Sequence, residues 1–302
     1  MGGFWRILGA LFVGMKFMLL GAHISIAGGI DKAVLRGQKI GCETIQVFTK
    51  NNHRWTAPPL KDETVEKWYH NLAETGIAPV VAHDSYLINL ASPDDALWQK
   101  SLEAFVIEMA RCDRLDIPYL VMHPGSHTGS GEEAGLRRIA TALDLAFARL
   151  PDTRVTVLLE TTAGQGTSLG YRFEHLAQIM ALAAAGDRLA VCFDTCHVLA
   201  AGYEIRTPEG YARTFRQFDR TIGLERLKVF HANDSKRELG SRVDRHEHIG
   251  RGHIGLQGFR LLVNDARFRH HPMLLETPKS PDMHEDMENM ATLRSLIAGQ
   301  ET

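Results

Sequence analysis

Asp194 and His197 stand three residues apart at the end of an almost wholly apolar run, Leu189 to Phe193. A carboxylate and an imidazole at the mouth of a buried strand offer hard and borderline donors, suited to zinc or a similar divalent ion. The structural alternative is that Asp194 caps a following helix and His197 packs against it. Repetition along the chain favours the metal. Other apolar runs end in the same way, at His83, His123, Glu160, His231 and Glu276, and a long loop after His231 adds a second Asp/His pair, Asp244 and His246. One tetrahedral zinc takes three protein ligands and a water. Five imidazoles (His83, His123, His197, His231, His246) and four carboxylates (Glu160, Asp194, Asp244, Glu276) therefore exceed one ion. With one carboxylate bridging, they suit a three-metal cluster. His70, His175, His270 and His271 fall on predicted helices or in loops away from strand ends. His23, His127, His248 and His253 lie nearer the same face, where they would support ligands or touch substrate.

Such residues need a frame that brings strand ends together. Apolar, strand-forming segments are predicted at 18–25, 44–49, 80–83, 119–123, 155–160, 189–194, 227–231 and 273–276. They alternate with amphipathic helical segments at 28–39, 62–74, 93–115, 132–150, 173–185, 208–222, 256–263 and 284–297. Eight strand–helix pairs with near-continuously apolar strands predict an α/β fold, a (β/α)8 TIM barrel. No Gly-rich phosphate fingerprint follows the first strand, which argues against a doubly wound dinucleotide-binding sheet. In a barrel the C-terminal strand ends converge on one face, where active sites sit.

The chain has 302 residues, 44% hydrophobic and 23% charged, which suits one large α/β domain or two small ones. Its formal net charge of -2 gives it no global basic character, so a nucleic-acid partner must be met by a local patch or by bound cations. The four cysteines form no CxxC pair and read as buried thiols in the cytoplasm. Residues 1–14 hold an apolar run too short to span a bilayer, behind a single Arg6, with no convincing signal-peptide cleavage site. Met15 is an equally good start, so 1–14 reads as a mis-assigned start or dispensable extension and 15–302 as the barrel domain. No membrane segment is expected, and no spare apolar stripe demands a partner, so a monomer is expected.

Longer stretches around these donors carry a resemblance. His83-Asp84-Ser85-Tyr86-Leu87-Ile88-Asn89-Leu90, His123-Pro124-Gly125-Ser126 and Glu160-Thr161-Thr162-Ala163-Gly164 are three of them. Phe193-Asp194-Thr195-Cys196-His197, His231-Ala232-Asn233-Asp234-Ser235-Lys236 and Asp244-Arg245-His246 complete the set. In this order, over about residues 18–278, the chain resembles the endonuclease IV family of apurinic/apyrimidinic-site DNA repair enzymes. The resemblance implies a TIM barrel with three zinc ions. One would be held by His83, His123 and Glu160. A second would be held by Glu160, Asp194, His231 and Glu276, and a third by His197, Asp244 and His246. It further implies cleavage of the phosphodiester 5′ to an abasic site in double-stranded DNA, and removal of 3′-blocking groups.

Binding such a lesion needs a shaped loop. Thr49-Lys50-Asn51-Asn52-His53-Arg54-Trp55 follows the second strand on the same face. Lys50 and Arg54 are expected to meet phosphates, and Tyr86-Leu87 either wedges into the base stack or packs inward. The resemblance implies a side chain in this loop that probes the lesion gap, either His53 or Arg54. Lys236 begins a basic, Gly-rich loop suited to backbone contact. Two other readings compete: a two-metal sugar isomerase of similar barrel shape, and a metal-storing or DNA-binding scaffold without turnover.

Overall fold

The computed structural model describes residues 18–298; the predicted extension at 1–14 lies outside the described residues. Eight parallel strands close into a barrel. They are β1 (Leu19–His23), β2 (Thr44–Phe48), β3 (Val80–His83), β4 (Tyr119–Met122), β5 (Thr156–Glu160), β6 (Leu189–Asp194), β7 (Leu227–His231) and β10 (Pro272–Leu275), with β10 pairing back onto β1. Between them, in chain order, come α1 (Asp31–Lys39), α2 (Asp62–Thr75), α3 (Asp95–Arg114), α4 (Glu132–Arg149), α5 (Phe173–Leu182), α6 (Thr195–Ala201), α7 (Pro208–Thr221) and α8 (Gly255–Val263), and α9 (His284–Ser295) follows β10. Local chemistry starts several helices. Asp94 accepts a hydrogen bond from Leu97 N–H at the start of α3, and Thr207 accepts one from Gly210 N–H in front of Pro208 at the start of α7.

The period-two geometry of a strand sorts each side chain to the helix layer or the barrel interior. Val80 and Ala82, Leu120 and Met122, Leu159 and Phe193 face the helices and join the large apolar core. Val81, Val121, Leu158, Ala190, Cys192, Val229 and Leu274 face inward and form a separate small core on the barrel axis. Two residues beyond an inward-facing core residue, each strand from β3 to β7 and β10 presents a polar group at its C-terminal end. Val81 leads to His83, Val121 to His123, Leu158 to Glu160, Cys192 to Asp194, Val229 to His231, and Leu274 to Glu276. The apolar plug below thus sets the height and direction of the polar ring above it.

The structure adds two elements to the predicted order. The seven-residue helix α6 follows β6 directly, and a small antiparallel hairpin, β8 (Asp234–Ser235) with β9 (His246–Glu247), shapes the long loop after β7. Asp194 caps α6, its Oδ1 accepting His197 N–H at 2.8 Å. Gly202 closes α6 at φ 106°, a conformation few residues other than glycine adopt. Capping and metal ligation, weighed above as alternatives for Asp194, are compatible: one oxygen holds the helix and the other is left facing the centre.

Candidate metal centre

All nine candidate donors lie at the C-terminal mouth of the barrel. Ligand atoms of His83, His123 and Glu160 fall within 4.8 Å of one another, as do those of Glu160, Asp194, His231 and Glu276. His197 Nε2 is 3.1 Å from Asp244 Oδ2, His246 Nε2 is 3.4 Å from Asp244 Oδ1, and the two Nε2 atoms are 3.4 Å apart. The first two groups have the membership of two expected ligand sets; at the third, His197 and His246 group with Asp194, and Asp244 and His246 group with Cys196. Asp194 also approaches the third set, with Oδ2 3.7 Å from His246 Nε2.

Glu160 sits where the sets meet. Its Oε2 is 3.1 Å from His83 Nε2 and 3.2 Å from His123 Nε2. Its Oε1 is 3.0 Å from His231 Nδ1 and 3.1 Å from His197 Nδ1. One oxygen is turned to each side, as a bridging carboxylate requires.

Hydrogen bonds behind the donors fix their orientation. His83 Nδ1–H donates to Asp84 O (2.8 Å), His197 Nδ1–H to Thr161 O (2.9 Å) and His246 Nδ1–H to Glu276 O (3.1 Å), so Nε2 of each faces the centre. Asn233 Nδ2 donates to Asp194 Oδ2 at 2.7 Å, and its Oδ1 accepts Glu276 N–H at 2.7 Å. Gln46 reaches in from β2 to both His231 and Glu276. The sequence reading assigned no role to Asn233 or Gln46. The signal for Gln46 was present, because it is a lone amide in an apolar strand at the phase that faces inward.

The charge pattern fits cations. Burial opposes ionisation of Glu160, yet the imidazoles of His231 and His123 hold its carboxyl well below the ordinary range. Burial likewise opposes charge on Glu276, and His231 pulls its carboxyl far down. Asp244, despite burial, is drawn down to about 2 by His197. Conversely, burial disfavours the imidazolium of His197, but Asp194 and Asp244 pull it well above its usual value. His231 is also raised well above its usual value against the cost of burial, by Cys192 and by the carboxylates of Glu276 and Glu160. Four carboxylates crowded against five imidazoles demand positive charge between them, from protons or from metal. With hard and borderline donors within coordination reach of one another, the set fits divalent ions of the zinc type.

Around this centre the barrel mouth is a cleft. One pocket of about 260 Å³ runs along His123, Gly164, His197 and Asp244, and a groove of about 1020 Å³ runs along His23, Asn52, His53, Glu276 and Lys279. Tyr86 borders both and is 61% exposed, so it stands up between them rather than packing inward; Leu87 beside it is half-buried. His53 and Arg54 are both exposed on the β2–α2 loop, and Lys236 is exposed after β8. Lys50 requires a correction. It is buried, with Nζ 2.9 Å from Glu108 and donating to Arg54 O at 2.6 Å, and so ties the loop to α3 instead of meeting a phosphate. The histidines set aside from ligation stay apart: His175 packs against Arg172 and Glu132, and His271 donates to Leu227 O at 3.0 Å.

The chain matches the family model described as xylose isomerase-like TIM barrel over residues 34–296. It is 56% identical over 281 residues to a probable endonuclease 4 of Chloroflexus aurantiacus, covering 93% of this chain and 99% of that one. It is 54% identical to a probable endonuclease 4 of Geobacter sulfurreducens, covering 94% and 96%. Among solved structures, endonuclease IV from Thermus thermophilus superposes with a TM-score of 0.80 at 37% identity, covering 92% of this chain and 98% of that one. A D-psicose 3-epimerase of Clostridium cellulolyticum superposes with a TM-score of 0.67 at 13% identity, covering 93% and 99%, a likeness of fold alone.

Proposed function

The chain belongs to the endonuclease IV family, and we propose that it is a zinc-dependent DNA repair endonuclease with three zinc ions per chain. It hydrolyses the phosphodiester 5′ to an apurinic/apyrimidinic site, leaving a 3′-hydroxyl and a 5′-deoxyribose phosphate, and removes 3′-blocking groups. The observation that carries this reading is Glu160, whose two oxygens face two ligand sets at 3.0–3.2 Å. Bound zinc would neutralise phosphate charge and bring the pKa of a water toward neutrality.

The chain's own residues supply the rest. His83, His123 and Glu160 would hold one ion. Glu160, Asp194, His231 and Glu276 would hold the second, and His197, Asp244 and His246 the third. Three divalent ions bring six positive charges against four ligand carboxylates, which lets a chain of net charge -2 receive a phosphate. Tyr86 and Leu87, on the turn after β3, would enter a base stack from beside the centre, with His53 or Arg54 probing the gap. Arg54 and Lys236 serve the flanking phosphates. A Ser or Cys nucleophile is not needed: the four cysteines are buried and unpaired, and burial pushes the thiols of Cys192 and Cys196 up to about 12. Unpaired buried thiols also suit the cytoplasm. No helix among the described residues is long and apolar enough to cross a membrane. The protein acts as a monomer on double-stranded DNA.

The test is incision of a duplex carrying one abasic site, with end-group analysis of both products and elemental analysis of the purified protein. Cleavage 5′ to the lesion, abolished by chelation and restored by zinc, is the expected result. A protein that binds the duplex without cutting it, or that holds two metals and turns over a sugar instead, overturns the proposal.

A further inference from the structure

The period-two rule that sends six ligands to the mouth also applies to the two remaining strands. On β1, Leu20 and Ala22 face the helices, which leaves Gly21 and His23 inward. On β2, Ile45 and Val47 face the helices, which leaves Thr44 and Gln46 inward. His23, at the end of β1, and Gln46, two residues before Phe48 at the end of β2, therefore also face the centre. Gln46 is fully buried, and every polar atom of its amide is engaged. Its Nε2 donates to Glu276 Oε1 at 2.6 Å and to His23 Nδ1 at 3.0 Å. Its Oε1 accepts from His231 Nε2 at 2.7 Å.

We propose that Gln46 is a positioning residue for the ion held by Glu160, Asp194, His231 and Glu276, fixing the tautomer of His231 and the rotamer of Glu276 with one amide. The inference rests on the metal-ligand reading of those four residues. The amide has one workable orientation. The end against the Glu276 carboxylate must donate, so the carbonyl end meets His231 and requires a proton on His231 Nε2. That leaves the His231 Nδ1 lone pair directed inward, 3.0 Å from Glu160 Oε1 and 3.2 Å from Glu276 Oε2. His83, His197 and His246 place their tautomers with backbone carbonyls on the Nδ1 side, whereas the orientation of His231 depends on a side chain. A glutamine spanning from β2 to β7 and β10 also holds two ligands at a fixed separation. Partners of this kind change metal affinity by about 10- to 100-fold when removed.

Gln46→Met keeps the length and removes the amide. Loaded wild type, Gln46→Met and Val47→Ala, whose side chain faces the helices on the same strand, are compared by zinc release to a chromogenic chelator and by thermal melting. Faster loss of one zinc per chain from Gln46→Met, by about 10- to 100-fold, with Val47→Ala losing zinc at the wild-type rate whatever its melting temperature, is the expected result. Equal release from both variants at equal loss of melting temperature would reduce Gln46 to a packing role. Nitrogen-15 spectra of histidine-labelled, zinc-loaded wild type test the same point without any variant. His231 protonated at Nε2 supports the proposal, and His231 protonated at Nδ1 overturns it. A wild type that carries zinc only at the other two sets, or none, removes the ligand reading itself and the proposal with it.

Discussion

The candidate centre is built from two regions of unlike material. Glu160, Asp194 and His231 are fully buried at strand ends, and they stand two residues above apolar side chains packed on the barrel axis. Asp244 and His246 come from the loop after β7, with side chains 40% and 17% exposed. The strand-end donors are placed by hydrophobic packing, which holds whether or not their charges are satisfied. The loop donors are placed by hydrogen bonds. The buried Asp234 carboxylate accepts N–H groups of Ser235 (2.7 Å), Gly250 (2.9 Å), Gly252 (3.0 Å), Ile254 (2.8 Å) and Gly255 (3.3 Å). Gln165 Oε1 accepts Asp244 N–H at 3.1 Å. Gly252 must be glycine, since a Cβ there would collide with the backbone oxygen of Ser235. Packing makes one side of the centre rigid, and hydrogen bonding to a loop leaves the other free to exchange. The set shared by Glu160, Asp194, His231 and Glu276 should hold metal tightly, and the set containing Asp244 and His246 should give it up first.

The strongest way to break this contrast is at the residue the two strand-end sets share. Glu160→Gln is expected to lower incision by more than about 1000-fold, roughly 4 kcal/mol of barrier, with DNA binding largely kept. The group lies between four imidazoles, and an amide bridges metals poorly. Single-turnover incision with a parallel binding titration decides it; activity within about tenfold of wild type removes the bridging role.

His246→Ala strikes the loop side alone. Three protein ligands are near the minimum for a held catalytic zinc, and Asp244 with His197 cannot keep one against water. The variant is expected to lose about one zinc per chain and about 100-fold in rate, while its far-UV spectrum and melting cooperativity match wild type. A variant that keeps all its metal shows that Asp194, 3.7 Å from His246 Nε2, already serves that ion.

How much of this was legible beforehand follows from the same contrast. The strand-end donors could be read because each closes an apolar run, and a period-two segment fixes both where a residue lies and which way it points. The barrel followed from eight such runs. Asp244 and His246 were reached by motif, since nothing local in a loop says what its side chains meet. Helix α6 is legible only as the alternative in which Asp194 caps a following helix, because its seven residues are too few to show helical periodicity. Lys50 was misread because its burial depends on Glu108, a residue of another helix that no local pattern couples to it. Gln46 was overlooked although its phase was readable, because its three partners come from other strands.

Asp234→Ala sharpens the comparison by releasing the loop without touching a ligand. Five backbone donors lose their acceptor, but the loop can turn them to water, so the cost falls on local order more than on the fold. Amide exchange over residues 236–255 is expected to quicken by about tenfold or more, with the barrel strands unchanged and zinc lost from the loop set first. Uniform exchange across the whole chain would mean that the loop and the barrel open together.

The smallest expected effect is a pH dependence of the metal-free protein. His197 and His231 are raised because, once the cost of burial is met, Asp194 and Asp244 favour the imidazolium of His197, and Cys192, Glu276 and Glu160 favour that of His231. A raised histidine contributes stability that is complete below its unfolded value, about 6.5, and is lost as pH climbs through the folded value. Glu160, Glu276 and Asp244 are shifted the other way, so their contribution is complete above the ordinary carboxylate range and stays level from neutral pH upward. The metal-free protein should therefore lose melting temperature as pH rises from about 6.5 into the alkaline window, as deprotonated imidazoles leave the buried carboxylates unpaired. Zinc-loaded protein holds its imidazoles neutral and its carboxylates neutralised at every pH in that window, so the melting gap between the two forms should widen with pH. Melting curves of both forms across the window measure it. A gap that narrows would mean that protons do not stand in for metal in the empty ligand cage, and that the strand-end donors keep their places by packing alone.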